Sequence, residues 1–198
     1  MTKGRIEAFS DGVLAIIITI MVLELKIPRG TDLSALLPML PVLLSYVLSF
    51  AYVGIYWNNH HHLFHATRRI SGGIMWANLH LLFWLSLVPV VTGWVGAHPR
   101  AFWPAAIYGI LLLMAGIAYR VLEQAIIARN GPDSDLSRAL GRKTKENISV
   151  FLYAVAIGLA FVRSWAAQAI YALVALMWII PDRRIEAKAS VDTEGGAQ

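Results

Sequence analysis

Ser10 and Asp11 stand inside the stretch RIEAFSDGVLAIIITIMVLEL (residues 5–25), which is otherwise apolar enough to cross a bilayer. A carboxylate near the middle of a bilayer costs about 2.5–3.5 kcal/mol even on the lenient insertion scale, so a chain that keeps one there uses it for helix packing or for an ion path. Two further polar clusters follow. YWNNHHHLFH (56–65) supplies Trp57, Asn58, Asn59, His60, His61, His62 and His65, and MWANLHLLFW (75–84) supplies Trp76, Asn78 and His80. Indole, amide and imidazole N–H groups from these clusters are suitable donors for the Asp11 carboxylate.

Other chemistry is poorly provided for. His61 and His65 are spaced i, i+4 and share one helix face, as metal ligands do. The run contains no acid, however, and the remaining histidines outside it are His80 and His98. A histidine-metal membrane enzyme is therefore the lesser alternative, and zinc or proton sensing by these imidazoles the fuller one, since their reference pKa of about 6.5 lies near physiological pH. Ser10-Asp11 has no base beside it in sequence, and Gly72-Gly73 is a loop and no phosphate cradle. With no cysteine there is neither a thiolate nor a disulfide framework. No enzyme activity and no cofactor are expected.

The elements that position these residues are membrane helices. Of 198 residues, 58% are hydrophobic and only 15% charged, with mean hydropathy +0.60. Long apolar runs mark an all-α integral membrane protein. Six spans of about 20 residues are expected at 6–25, 37–57, 74–95, 101–121, 147–162 and 165–181. Together they form one channel-sized domain, residues 1–181, before a polar cytoplasmic tail, 182–198. Glu7 and Asp11 interrupt the first apolar stretch, so it is expected to remain as a permanent helix and not a cleaved signal. Pro38 and Pro41 fall at the start of the second span, where a missing donor costs little, and Pro89 is expected to kink the third. The connection NGPDSDLSRALGRKTKEN carries a Gly131-Pro132 turn, with Asp133 or Ser134 able to cap a short surface helix.

Basic residues set the topology. Thirteen Lys and Arg lie on the side of the two termini and four on the other. The positive-inside rule then places both termini in the cytoplasm of a bacterial plasma (inner) membrane protein. The net charge of +5 belongs to these loops, and no nucleic-acid partner is expected.

At about 100° per residue, Ile16, Ile20 and Leu23 fall within roughly 60° of one another on the first helix, with Thr19 beside them and Phe9 and Gly12 on the same side. Ser10 and Asp11 point away from that stripe, toward neighbouring helices.

The run Arg5-x-x-x-Phe9-Ser10-Asp11-Gly12-Val13, followed by Ala15-Ile16, Thr19 and Leu23-Glu24-Leu25, resembles the signature of bacterial members of the transmembrane-protein-175 family of potassium channels. So do the six-span plan, the His/Asn-rich end of span two and the Trp76-x-Asn78 start of span three. Val13-Leu14 departs from the aromatic often found after the glycine. The resemblance implies a homotetramer whose four first helices line a pore for potassium and other monovalent cations. Its bulky constriction would be Ile16, Ile20 and Leu23, its pore hydroxyl Thr19. Its packing network would be Arg5, Phe9, Ser10 and Asp11, held by Trp57, Asn58, His61, His62, Trp76 and Asn78. No Thr-Val-Gly-Tyr-Gly filter occurs in the chain. A small secondary transporter stays open as an alternative, though such folds generally use longer chains with repeated halves.

Overall fold

A computed structural model describes residues 3–28, 30–67, 69–130 and 144–179. These contain helices and connections and no strand. α1 is Lys3–Leu23. A 3-10 turn, Leu33–Met39, leads into α2, Leu40–His65. α3 (Gly72–Ser86) and α4 (Val88–Ala97) together form the third span. α5 is Phe102–Asn130, α6 is Thr144–Ala160 and α7 is Ser164–Ile179. Four of the six segments are long and apolar enough to cross a membrane, while α6 and α7, at 17 and 16 residues, are shorter. The expected surface helix after Gly131 and the polar tail 182–198 lie outside the described residues.

Local chemistry explains the ends. Pro38 sits inside the 3-10 turn and Pro41 in the first turn of α2, where no intrahelical donor is lost. Pro89 in the first turn of α4 cannot donate to the Leu85 carbonyl, and the helix breaks at Leu87. Ser71 caps α3 by accepting from the Ile74 amide at 3.4 Å. At the far end of the bundle, the Gln168 amide donates to the Pro99 carbonyl at 2.8 Å, tying the α6–α7 hairpin to the α4–α5 turn.

Two helices run further than expected. α2 continues two turns past residue 57 to His65, and α5 continues past 121 to Asn130. Neither stretch contains a proline or glycine to stop it. At 1.5 Å per residue α2 is about 39 Å long and α5 about 43 Å, more than the ~30 Å hydrocarbon core. Both end on the side of the bundle where α1 begins. Lys3 Nζ marks that common end by donating to the His65 carbonyl at 2.9 Å. There Asn130 clasps the α2–α3 connection, accepting from the Arg69 amide at 2.9 Å and donating to its carbonyl at 3.3 Å.

α5 is the central staff, packed against α3, α4, α6 and α7. Its small residues Ala105, Ala106, Gly109, Ala115 and Ala118 admit close neighbours. Tyr171 of α7 lies directly over Gly109, its hydroxyl donating to the Ala105 carbonyl at 3.0 Å. α1 packs on α2, α3 and α4 at the edge of this arrangement.

Candidate functional site

α1 has two faces. Ile6, Ser10, Leu14, Ile17 and Met21, at spacings of three and four, are buried against α2, α3 and α4. The opposite face is bare: Ile16 is 57% exposed, Ile20 42% and Leu23 81%, with Phe9 and Thr19 beside them. The Thr19 hydroxyl donates to the Ile16 carbonyl at 2.9 Å. Its proton is thereby committed to the backbone, and what it presents outward is oxygen lone pairs.

Behind this face lies a directional chain of hydrogen bonds. The Ser10 hydroxyl donates to the Ile6 carbonyl at 2.8 Å, so its oxygen is free to accept from Asn78 Nδ2 at 2.9 Å. The amide orientation then leaves Asn78 Oδ1 to accept from His60 Nε2 at 2.7 Å. His60 is held in that tautomer and stacks on Phe64, ring centroids 4.4 Å apart. Ser10, Asn78 and His60 are all essentially inaccessible. Three helices, α1, α3 and α2, are thus joined by one polar thread where water cannot compete. A second, exposed tie runs beside it: Trp57 Nε1 donates to Asp11 Oδ1 at 3.1 Å.

Of the residues singled out from the sequence, Ser10 and Asn78 meet in the buried thread, and Asp11 and Trp57 meet in the exposed tie. Arg5, Phe9, Asn58, His61, His62 and Trp76 face outward from the protomer, Trp76 at 75% exposure. Trp57, His61 and His65 stack along one face of α2, with successive ring centroids 6.3 and 6.2 Å apart. No group of three His, Asp or Glu side chains able to hold a metal occurs among the described residues.

His60 is the member missing from the network expected on sequence grounds. A signal for it existed. The buried face of α2 runs Ser45, Ser49, Tyr52, Val53, His60, Leu63, Phe64. His60 continues that helical phase, seven residues after Val53. Ending the span at residue 57 concealed the register, whereas an unbroken helix to His65 sets it.

A protein of Chryseobacterium sp. (strain P1-3) named as a potassium channel is 57% identical over 186 residues, covering 94% of this chain and 97% of that protein. The family model described as endosomal/lysosomal potassium channel TMEM175 matches residues 5–89, from Arg5 at the head of α1 to Pro89. The chain belongs to that family. Every member of the polar thread and of the exposed tie lies inside that interval. A protein of Streptomyces collinus, also named as a potassium channel, is 32% identical and covers 89% of this chain and 91% of its own length. Among solved structures, the crystal structure of a lysosomal potassium-selective channel TMEM175 homolog from Chamaesiphon minutus matches with a TM-score of 0.76 and 30% identity, over 89% of this chain and 96% of that one. The Homo sapiens relative, named an endosomal/lysosomal proton channel, is 32% identical over 112 residues that make up 22% of its length. TMEM175 relatives are channels and not enzymes, and this TMEM175 chain is a helical membrane protein of the same fold.

Proposed function

We propose that this TMEM175 chain is a potassium-preferring cation channel in the bacterial inner membrane, working as a homotetramer with both termini in the cytoplasm. The observation that carries the proposal is the bare aliphatic ridge of α1, Ile16, Ile20 and Leu23, on a helix whose opposite face is anchored by a buried polar thread. One helix cannot enclose a conduit. Four copies around an axis can, and the ridge then forms three stacked aliphatic rings. Such rings exclude water when close and admit a hydrated cation when they splay, which is hydrophobic gating. The relatives named as potassium channels, one of them 57% identical, support potassium as the permeant ion.

Aliphatic rings cannot replace an ion's hydration shell, and the chain has no Thr-Val-Gly-Tyr-Gly loop to do so. Selectivity is therefore modest. It falls to pore radius and to Thr19, whose outward lone pairs suit a cation. Ser10, Asn78 and His60 hold the ridge at its angle, and Asp11 with Trp57 ties the cytoplasmic end. The outward aspect of Arg5, Phe9, Asn58, His61, His62 and Trp76 leaves them free to contact neighbouring subunits. No cofactor takes part.

The test is reconstitution of purified protein in liposomes under a potassium gradient, with planar-bilayer recording in parallel. Unitary currents reversing near the potassium potential are expected. Slow, saturable flux coupled to protons would replace the channel with a carrier.

A further inference from the structure

At the end of the bundle where α5 begins, opposite the start of α1, lies a corner that neither the ridge nor the polar thread uses. Three aromatic rings meet there. Phe102 and Trp103 open α5, and Phe161 directly follows α6. The ring centroids stand 5.4 Å apart for Phe102–Trp103, 5.5 Å for Phe102–Phe161 and 5.4 Å for Trp103–Phe161, a closed triangle. All three rings are about half exposed. Aromatic rings at helix ends of a membrane protein suit the boundary between acyl chains and headgroups.

Two arginines frame the triangle. Arg100 stands two residues before Phe102, and Arg163 two residues after Phe161. The turns that carry them are pinned together, because the Pro99 carbonyl accepts from Gln168 Nε2 at 2.8 Å and from Ser164 Oγ at 3.5 Å. Both arginines are exposed. Neither guanidinium has a side-chain hydrogen bond or an ion pair among the described residues, and neither has the Trp103 indole N–H. No Asp or Glu occurs at positions 97–103 or 160–168 to neutralise them.

Helix length adds a second reason for an anion here. α6 and α7 have 17 and 16 residues, about 25 Å each at 1.5 Å per residue, against a hydrocarbon core of ~30 Å. α6 opens on Lys145-Glu146-Asn147, which mark one polar boundary. A hairpin this short brings its turn, and Arg163 with it, up to the other headgroup layer and no further. A guanidinium without a carboxylate at that depth needs a lipid anion or a costly defect in the bilayer.

The ligand this corner calls for carries a phosphate-like anion joined to an apolar chain. Guanidinium forks match phosphate oxygens in pairs, and the ring triangle offers a rigid apolar surface to an acyl chain. A zwitterionic lipid would bring an ammonium group to a place without a carboxylate. We infer that Arg100, Arg163 and the Phe102–Trp103–Phe161 triangle form a binding site for one anionic phospholipid. Its phosphodiester lies on the two guanidinium groups, with the Trp103 N–H as a further donor, and an acyl chain crosses the rings. The site does not depend on the channel reading.

The experiment titrates the full chain in detergent with dioleoyl phosphatidylglycerol, followed by native mass spectrometry, with dioleoyl phosphatidylcholine as the zwitterionic control. Wild type should hold one more phosphatidylglycerol per protomer than the double variant Arg100→Gln/Arg163→Gln. Each single substitution should weaken that lipid about fivefold and the pair about twentyfold. Arg163→Lys, which keeps the charge, should lose less than Arg163→Gln. Trp103→Leu, which opens the triangle, should weaken phosphatidylglycerol about threefold. Excess inorganic phosphate should leave the lipid in place. Equal retention by wild type and the double variant, or equal affinity for the two lipids, would overturn the site, and Arg163→Gln alone decides if the double variant does not fold. Displacement by inorganic phosphate would overturn the lipid in favour of a bare anion. A double variant that keeps the lipid but loses its oligomer would give the corner to a second copy of the chain instead.

Discussion

Replacing Asn78 with leucine tests the buried thread most directly. The two side chains are similar in volume, so little packing is lost, but both hydrogen bonds of the amide disappear: 2.7 Å to His60 and 2.9 Å to Ser10. In membrane proteins such interhelical bonds are worth about 0.6 kcal/mol each on average. The partner left behind costs more. His60 Nε2 keeps its proton in a site closed to water, and an orphaned buried donor costs about 1–3 kcal/mol. Ser10 is less affected, because its own proton stays on the Ile6 carbonyl at 2.8 Å. Asn78→Leu should therefore cost about 2–4 kcal/mol in total. Ser10→Ala strands only one amide N–H of Asn78 and should cost about 1–2 kcal/mol. Titration of the reconstituted protein with SDS, followed by tryptophan fluorescence, measures both. Because both changes break the same bond, the double variant should cost about 1 kcal/mol less than the sum of the singles. Additive costs, or an Asn78→Leu protein within about 0.5 kcal/mol of wild type, would show that the three side chains do not act as one thread.

Further expectations concern gating, assembly and packing. Ile20→Asn or Leu23→Ala should raise the resting potassium leak by roughly tenfold or more, equivalent to about 1.4 kcal/mol off the barrier; unchanged conductance in planar bilayers would remove the ridge from the pore. Asp11→Ala frees Trp57 Nε1 beside the first turns of α1 and should lower the fraction of assembled oligomer on size exclusion. A stable tetramer with altered ion preference would instead put Asp11 in the ion path. Gly96→Ala places a β-carbon 2.8 Å from the Val42 Cα, where backbone cannot yield, and should cost about 1–3 kcal/mol. Gly93→Ala on the same helix meets nothing nearer than Glu24 Oε2 at 3.8 Å and should be neutral or stabilising within about 1 kcal/mol. Thermal denaturation in detergent separates the two glycines.

Much of the architecture is written in local pattern. Six apolar runs, the proline at residue 89 and the grouping of Ile16, Ile20 and Leu23 on one face can all be read without coordinates. Each depends only on helical periodicity or on the missing amide proton of proline, and these act within a few residues. The bare ridge of α1 and its break-free course from Lys3 to Leu23 follow from the same periodicity.

The choice among chemically equivalent donors is another matter. Three consecutive histidines, three asparagines (Asn58, Asn59 and Asn78) and two tryptophans (Trp57 and Trp76) all offered N–H groups to the start of α1, and local sequence did not rank them. The length of α2 decided it. Because the helix runs unbroken to His65, His60 turns inward with Ser49 and Val53, while His61 and His62 turn out. The space enclosed between α2, α5, α6 and α7 is further still from sequence, since its lining residues span positions 52 to 178. Helix identity and facing are short-range properties that the chain carries in its own spacing. Which inward group finds which partner depends on the packing of helices distant in sequence, and only the tertiary structure determines that.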